Sequence, residues 1–393
     1  MRLAAARPAT PDEPQAQDTA AVDVWIISQE PHLAVSALDL AQALDIARAD
    51  LRVALSLPEA HPPRAELPPG MRDVPFSTSP PSAVSRTLYT LAPKVLVILG
   101  GPVLAEVIDP ARARGCAVVL AAMGAPQIPN RWRLWPGKPR RLLRKIDRLM
   151  VADPGDVAAW RTLGAEEDRL EHVGALSPAL GALPCNEAER DALSAHLRLR
   201  PVWLAIGVPP EEEDLVLAAH DAALRLSHRL LLLLHLQDSS RSAGLRQRIG
   251  TRFSVALRSG DEPVTEDTQL HITDTEGERG LWYRLANSCY MGGSLSARGS
   301  TLDPMEPAAL GAAVLHGAHP GVHGHSYALL QDQRATLPVD APGNLGPAVS
   351  ALLDPQRSAG LARAAWQVIS DCAAATDHVA RATLTLLDRP EGT

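Results

Sequence analysis

The chain has 393 residues, 46% of them apolar and 21% charged, with 34 prolines and 27 glycines, a length that suits two domains of ordinary size, each with its own core. Lys plus Arg number 38 against 45 Asp plus Glu, and the net charge of -7 excludes a surface that grips nucleic acid or an anionic membrane as a whole, so any basic site is local. The cleanest apolar run, Cys116 to Ala125, falls far short of the ~20 residues that span a bilayer. Cys116, Cys185, Cys289 and Cys372 lie far apart without a CxxC pair, which argues against a disulfide framework or a zinc ribbon and fits a reducing cytosol.

Residues 1–22 mix Pro, Gln, Asp and Ala without an apolar period and read as a disordered tail, not a signal peptide. The β-branched run Val22 to Ile27 is a strand; Val35, Leu38, Ala41 and Leu44 keep helical spacing; Leu51 to Leu57 is a second strand. After a proline-rich connection from Pro58 to Pro81 come a helix through Val84 to Leu91, the strand KVLVIL ending on Gly100 and Gly101, a helix near Leu104 to Arg114, and the strand CAVVLAA. An Arg-rich stretch from Asn130 to Arg148 interrupts this alternation. IDRLMVAD then reads as a strand and PGDVAAWRTLGA as a helix that Pro154 opens and Gly164 stops.

The rhythm restarts at Pro201. PVWLAIG and HRLLLLLHL are strands flanking a helix from Pro209, whose three glutamates suit a helix N-terminus. RFSVALRS, TQLHITD, SCYMGG and AAVLHG read as short strands, with LWYRLA and EPAALG as helices between them, and the last 40 residues are helical. Two successive α/β units follow: an N-terminal Rossmann-like domain over 23–176, a linker over 177–200, and a C-terminal domain over 201–393, with a cleft expected between them.

From Leu270 to Leu315 the chain reads LHITDTEGERGLWYRLANSCYMGGSLSARGSTLDPMEPAALGAAVL. This resembles the nucleotide-sugar domain of the 3-deoxy-D-manno-octulosonic acid (Kdo) transferases, which add Kdo from CMP-Kdo to lipid A. The family's D-T-x-G-E-L and G-G-S-L segments are matched closely; its G-G-H-N-P-x-E-P segment survives as GSTLDPMEP, one residue longer and without the His-Asn pair. VWIISQEPHLAVSALDLAQAL from Val24, RRLLRKIDRLMVADPGDVAAWRTLGA, and RPVWLAIGVPPEEEDLVLAAH from Arg200 extend the likeness over nearly the whole chain. The resemblance implies a GT-B fold, two Rossmann-like lobes, with no cofactor and no metal. It implies donor binding by Asp274, Thr275, Gly277, Glu278, Gly292, Gly293, Ser294, Arg298, Asp303 and Glu306. A glycine-rich turn at Gly292 and Gly293 lets backbone N–H groups approach a phosphate, and Glu306 would accept from ribose hydroxyls. Two blander readings stand beside these: Glu306 as an acid at a helix N-terminus, and Thr275 with Glu278 as a capping box.

Four segments depart from the family. Its S-V-G-E, whose Glu is the expected base, falls on Glu30 to Leu33, so leucine holds the base position and the nearest candidates are Glu30 and His32. Its E-S-E-L-W-P loses both acids, to Gly100 and Pro102. Its S-T-H becomes Gly207, Val208 and Pro209, and its P-R-H, an expected phosphate anchor, becomes Leu236, Gln237 and Asp238, with Arg241 and Arg298 as candidate substitutes. Three outcomes remain open: Kdo transfer with altered residues, a silent paralogue that binds lipid A, a sugar nucleotide or a partner, or a transferase with another donor.

Arg131, Trp132, Arg133, Trp135, Lys138, Arg140, Arg141, Arg144 and Lys145 form a basic stretch with interleaved tryptophan, suited to lipid A phosphates or to peripheral contact with the anionic cytoplasmic face of a Gram-negative inner membrane. Its alternative is a solvated face. His316, His319, His323 and His325 cluster within ten residues but lack an acid or Cys to complete a metal set, and read as a polar loop.

Overall fold

A computed structural model describes residues 21–58, 67, 70–127, 137–177, 183–197 and 200–389. The chain forms two compact units, one joining everything up to Ala175 to the stretch from Thr376, the other running from Leu176 to Ala375.

The first unit is built on seven parallel strands, β1 (Val24–Ser28), β2 (Val53–Ser56), β3 (Met71–Asp73), β4 (Val95–Leu99), β5 (Ala117–Met123), β6 (Arg148–Val151) and β7 (Leu170–His172), in the order β3-β2-β1-β4-β5-β6-β7. Every residue of β1 and β4 is buried, as their unbroken apolar sequences require of strands covered on both faces. The strand order reverses between β1 and β4, so the chain leaves their carboxyl ends in opposite directions across the sheet. Trp25, wholly buried, donates its indole N–H to Ser56 Oγ at 2.9 Å.

The second unit repeats the plan with β8 (Val202–Val208), β9 (Leu231–Leu236), β10 (Val255–Leu257), β11 (Leu270–Ile272), β12 (Ser288–Met291), β13 (Ala313–His316) and β14 (Thr336–Pro338), ordered β10-β11-β9-β8-β12-β13-β14, again all parallel. Here the reversal lies between β8 and β12. Helix Pro210–Leu224 opens with proline in its first turn, and Gly164 ends helix Val157–Leu163 at φ 103°, both as the sequence predicts.

Several expectations are corrected. The edge strands β3, β7 and β14 are three residues long, with no fully buried face, and leave too little apolar alternation to be read. The expected linker over 177–200 is largely structure of the second unit: helix Glu187–Leu197 buries Leu197 in that unit's core. The C-terminal domain does not extend to 393, because the 33-residue helix Pro355–Leu387 belongs to the first unit from Thr376 onward. Asp388 reaches Arg48 at 2.7 Å and His378 reaches Glu171 at 3.0 Å. Residues 1–20 of the expected tail lie outside the described residues, and Val22 is already core, 2% exposed.

Candidate functional site

In the first unit the site is the carboxyl edge of β1 and β4. Beyond β1 the chain turns through Ser28, whose hydroxyl donates to Glu30 O at 3.1 Å, into the short 3-10 helix Pro31–Leu33. Gln29 Nε2 donates to Gly100 O at 2.6 Å and to Pro102 O at 3.0 Å. Gly101 N–H donates to Glu30 Oε1 at 2.8 Å, and Glu30 Oε2 lies 3.3 Å from His32 Nε2. A carboxylate fixed by backbone thus orients an imidazole that is about one-third exposed (32%). Burial, opposed by Glu30, holds His32 below the usual histidine range, so it is neutral at physiological pH and able to take a proton.

Leu33, where the family's base is expected, is 2% exposed. A Cβ added at Gly100 would stand 2.6 Å from Leu33 Cδ1. Leu33 thus fills the space over a residue that has no side chain.

In the second unit the GGS turn after β12 is held from within the protein. A Cβ at Gly292 would sit 2.5 Å from Gly207 O, so only glycine permits β8 and β12 to approach this closely, and Gly293 has φ 81°. The turn's N–H groups do not stand ready for a phosphate, as the sequence suggests. Glu212, 2% exposed in the first turn of helix Pro210–Leu224, accepts from Gly293 N at 2.7 Å and Tyr290 OH at 2.8 Å through Oε2, and from Leu295 N at 3.1 Å through Oε1. Ser294 is fully buried and likewise structural, donating to Met291 O at 2.5 Å and accepting from Gly317 N at 2.8 Å.

The neighbouring glutamates take the arginines that the sequence offers as phosphate anchors. Arg298 pairs with Glu211 at 2.7 Å, and Arg241 makes a two-pronged contact with Glu213 at 3.0 and 3.3 Å. Asp238 caps the turn that follows β9, accepting from Ser240 N at 3.0 Å.

The DTEGE turn after β11 is joined to the MEP segment by Arg279, whose Nη1 lies 3.2 Å from Glu306 Oε2. Tyr283 OH donates to the same oxygen at 2.9 Å. Burial raises the Glu306 pKa, against the pull of Arg279. Asp303 accepts from Met305 N at 2.9 Å, just ahead of helix Met305–Ala309; it also accepts from Ser326 Oγ at 3.1 Å and faces His323 Nδ1 at 3.5 Å. Asp274 accepts from Ser259 N at 2.8 Å and Ser259 Oγ at 2.7 Å. Thr275 bonds the Glu278 side chain, Glu278 accepts from Arg258 Nε at 3.0 Å, and Gly277 turns the loop at φ 80°. The capping box is not formed, because the helix starts at Arg279 and its N-cap is Glu278.

Glu212, Arg279, Tyr283 and Arg258 escape sequence reasoning. Arg279 stands next to a matched motif, and Glu212 reads as an ordinary first-turn acid until β12 is placed beside it. Among the described residues no three His, Cys, Asp or Glu side chains gather as a metal site; His316 Nδ1 donates to Gly317 O at 2.7 Å, and its Nε2 accepts from Thr336 Oγ1 at 3.0 Å.

Of the basic stretch, Arg131, Trp132, Arg133 and Trp135 lie outside the described residues. Helix Gly137–Leu143 buries Pro139, Leu142 and Leu143 and exposes Lys138, Arg140 and Arg141. Arg144 is exposed beside Glu166 at 3.6 Å, and Lys145 pairs with Asp109 at 2.7 Å. No helix among the described residues is long and apolar enough to cross a membrane.

No protein-family model matches the chain. It is 25% identical over 306 residues to the 3-deoxy-D-manno-octulosonic acid transferase of Haemophilus influenzae, spanning 76% of this chain and 70% of that one. It is 25% identical over 267 residues to a probable mitochondrial 3-deoxy-D-manno-octulosonic acid transferase of Arabidopsis thaliana, spanning 64% of this chain and 58% of that one. The solved structure of Acinetobacter baumannii MurG matches with a TM-score of 0.53 at 15% identity, covering 93% of this chain and 99% of that one, a likeness of fold: two-lobed α/β, of the GT-B type. In sequence the chain is thus similar to the 3-deoxy-D-manno-octulosonic acid transferases, and in fold to the two-lobed GT-B glycosyltransferases.

Proposed function

We propose that the chain is a glycosyltransferase that moves Kdo from CMP-Kdo to lipid A or its precursor. The observation that carries this reading beyond family likeness is the Glu30–His32 pair, 3.3 Å apart at the β1/β4 edge, which supplies a proton acceptor where the family's glutamate has become a buried leucine. In the proposed reaction an acceptor hydroxyl attacks the anomeric carbon of Kdo. The new C–O bond forms as the bond to the CMP phosphate breaks, the hydroxyl proton passes to His32, and CMP leaves with the electron pair. Glu30, anchored by Gly101 N–H, keeps the imidazole turned and stabilises its charged form. In the second unit Asp303, Glu306 and Arg279 are the residues assigned to the donor. The exposed cations of helix Gly137–Leu143 are assigned to lipid A phosphates and to the anionic cytoplasmic leaflet of a Gram-negative inner membrane, as a peripheral contact.

One observation favours a second reading, a protein that binds a ligand of this pathway without transferring sugar, or that uses another donor. Glu212 occupies the N–H groups of the glycine turn, and Arg241 and Arg298 are each neutralised by a carboxylate. Radiolabelled Kdo transfer from CMP-Kdo to a lipid A precursor separates the two. Product from the wild type, lost in His32→Ala, supports the transferase; no product from the wild type discards it.

A further inference from the structure

A second site lies at the other end of the second sheet. At the amino ends of β8 and β12, away from Gly293 and Glu306, a cavity of about 380 Å³ is lined by Arg200, Arg284, Asn287, Ser288 and Ser358 together with apolar groups that include Leu352. That volume is within the range of small-molecule pockets. We propose that this cavity binds a small phosphorylated molecule, held by Arg200 and Arg284.

Charge carries the argument. Arg200 is only 7% exposed, yet its guanidinium is met by carbonyls alone: Nε donates to Arg229 O at 2.5 Å, Nη1 to Thr265 O at 3.0 Å, and Nη2 to Thr268 O. No carboxylate lies within ion-pair distance of it among the described residues. Buried cations are normally paired, because leaving one unpaired costs several kcal/mol of lost hydration. Burial and the neighbouring Arg229 both push its pKa down, and the acids that oppose them, Glu266 and Asp267, do not line the cavity. Arg284, which is only partly buried, donates from Nη1 to Gly280 O at 2.8 Å and Leu183 O at 3.0 Å and likewise makes no ion pair among the described residues.

The residues that line the cavity therefore include two arginines and no acid. A guanidinium has five N–H donors, so the contacts named above leave both arginines with donors to spare. Asn287 accepts from Val202 N at 3.3 Å through Oδ1, which leaves its amide NH₂ to donate, and Ser288 and Ser358 add hydroxyls. Two positive charges with many donors balance a phosphate monoester dianion better than a singly charged carboxylate.

The test is calorimetric titration of the full chain with inorganic phosphate and with glycerol 3-phosphate, at low ionic strength, with acetate for comparison. Arg200 also ties three carbonyls together, so Arg284→Gln and Asn287→Asp are the informative variants; the latter keeps the acceptor for Val202 N–H and places a negative charge in the wall. Expected is saturable binding of both phosphates, weakened about tenfold or more in each variant with unfolding midpoints near the wild-type value, and unchanged in Glu306→Gln at the opposite edge. Absence of saturable heat, equal binding of acetate, wild-type affinity in both variants, or loss only in Glu306→Gln overturns the proposal. None of these outcomes depends on whether the chain transfers Kdo.

Discussion

Glu212 Oε2 accepts the Gly293 N–H at 2.7 Å, so a helix-borne carboxylate occupies the turn that the sequence marks for a phosphate. The same side chain also satisfies Leu295 N and Tyr290 OH, and it is 2% exposed. Glu212→Ala strands two buried donors and a partly buried one, each buried donor costing about 1–3 kcal/mol when unpaired, so unfolding in urea should show a loss of about 3 kcal/mol. Formate is small enough to take the vacated place. It should restore part of the lost stability in the variant and leave the wild type unmoved; equal effects of formate on both proteins would refute the clasp.

Acid lability should trace to buried histidines. Trp203 Nε1 donates to His220 Nδ1 at 3.1 Å, and His220 Nε2 lies 2.9 Å from Gln269 O, which fixes the neutral ring with its proton on Nε2. Burial lowers His220 and His271 each to about 4. A histidine depressed in the folded state and near ~6.5 when unfolded contributes stability that is whole above that value and lost as pH falls towards 4. Each contributes roughly 3 kcal/mol over that window, taken as order of magnitude. Urea unfolding at pH 7 and pH 5 should therefore show a marked drop, smaller in His220→Gln even though that variant is less stable at pH 7. A pH dependence identical to wild type would remove His220 from the account.

Legibility in the sequence followed physical signal. The central strands are long and apolar on both faces, so β1, β4, β8 and β9 could be read directly from runs such as VLVIL and LLLLHL. The edge strands β3, β7 and β14 carry no such pattern. Helix Glu187–Leu197 was obscured by the Pro and Gly that precede it, and the return of residues 376–389 to the first unit leaves no local mark, since it is a matter of where a continuous helix packs. At the site, motif matching found Asp274, Glu278, Gly293 and Glu306 but not their relation. That Arg279 joins the DTEGE turn to Glu306, or that Glu212 reaches Gly293 across 81 positions, depends on strands brought together only by folding.

The base assignment predicts an asymmetry among three neighbours. His32→Ala should lower transfer by roughly 10²- to 10⁴-fold, the usual contribution of general base catalysis, whereas Glu30→Gln, which keeps an acceptor for Gly101 N–H but loses the charge opposite the imidazole, should cost less and lower the apparent pKa of the reaction. Reinstating the family's acid by Leu33→Glu should not rescue either variant. Leu33 is buried against Gly100, and an unpaired carboxylate placed there costs several kcal/mol. Initial rates over pH 5 to 8 with melting curves of each variant check this, and a stable His32→Ala/Leu33→Glu double variant with restored activity would show the assignment to be wrong.

Membrane contact by helix Gly137–Leu143 makes a quantitative claim. Leu142 and Leu143 pack in the first unit's core and Pro139 is buried, while Arg140 and Arg141 are exposed, so the two arginines can be replaced without disturbing packing. A basic residue near an anionic leaflet contributes about 1 kcal/mol, so Arg140→Gln with Arg141→Gln should weaken binding to phosphatidylglycerol-containing vesicles by roughly 30-fold. Vesicles of neutral lipid should bind neither protein, and raising salt from low to physiological strength should narrow the gap between wild type and variant as the charges are screened. Sedimentation with vesicles gives all three comparisons. Binding that is indifferent to both the lipid's charge and the arginines would leave this face as solvated surface.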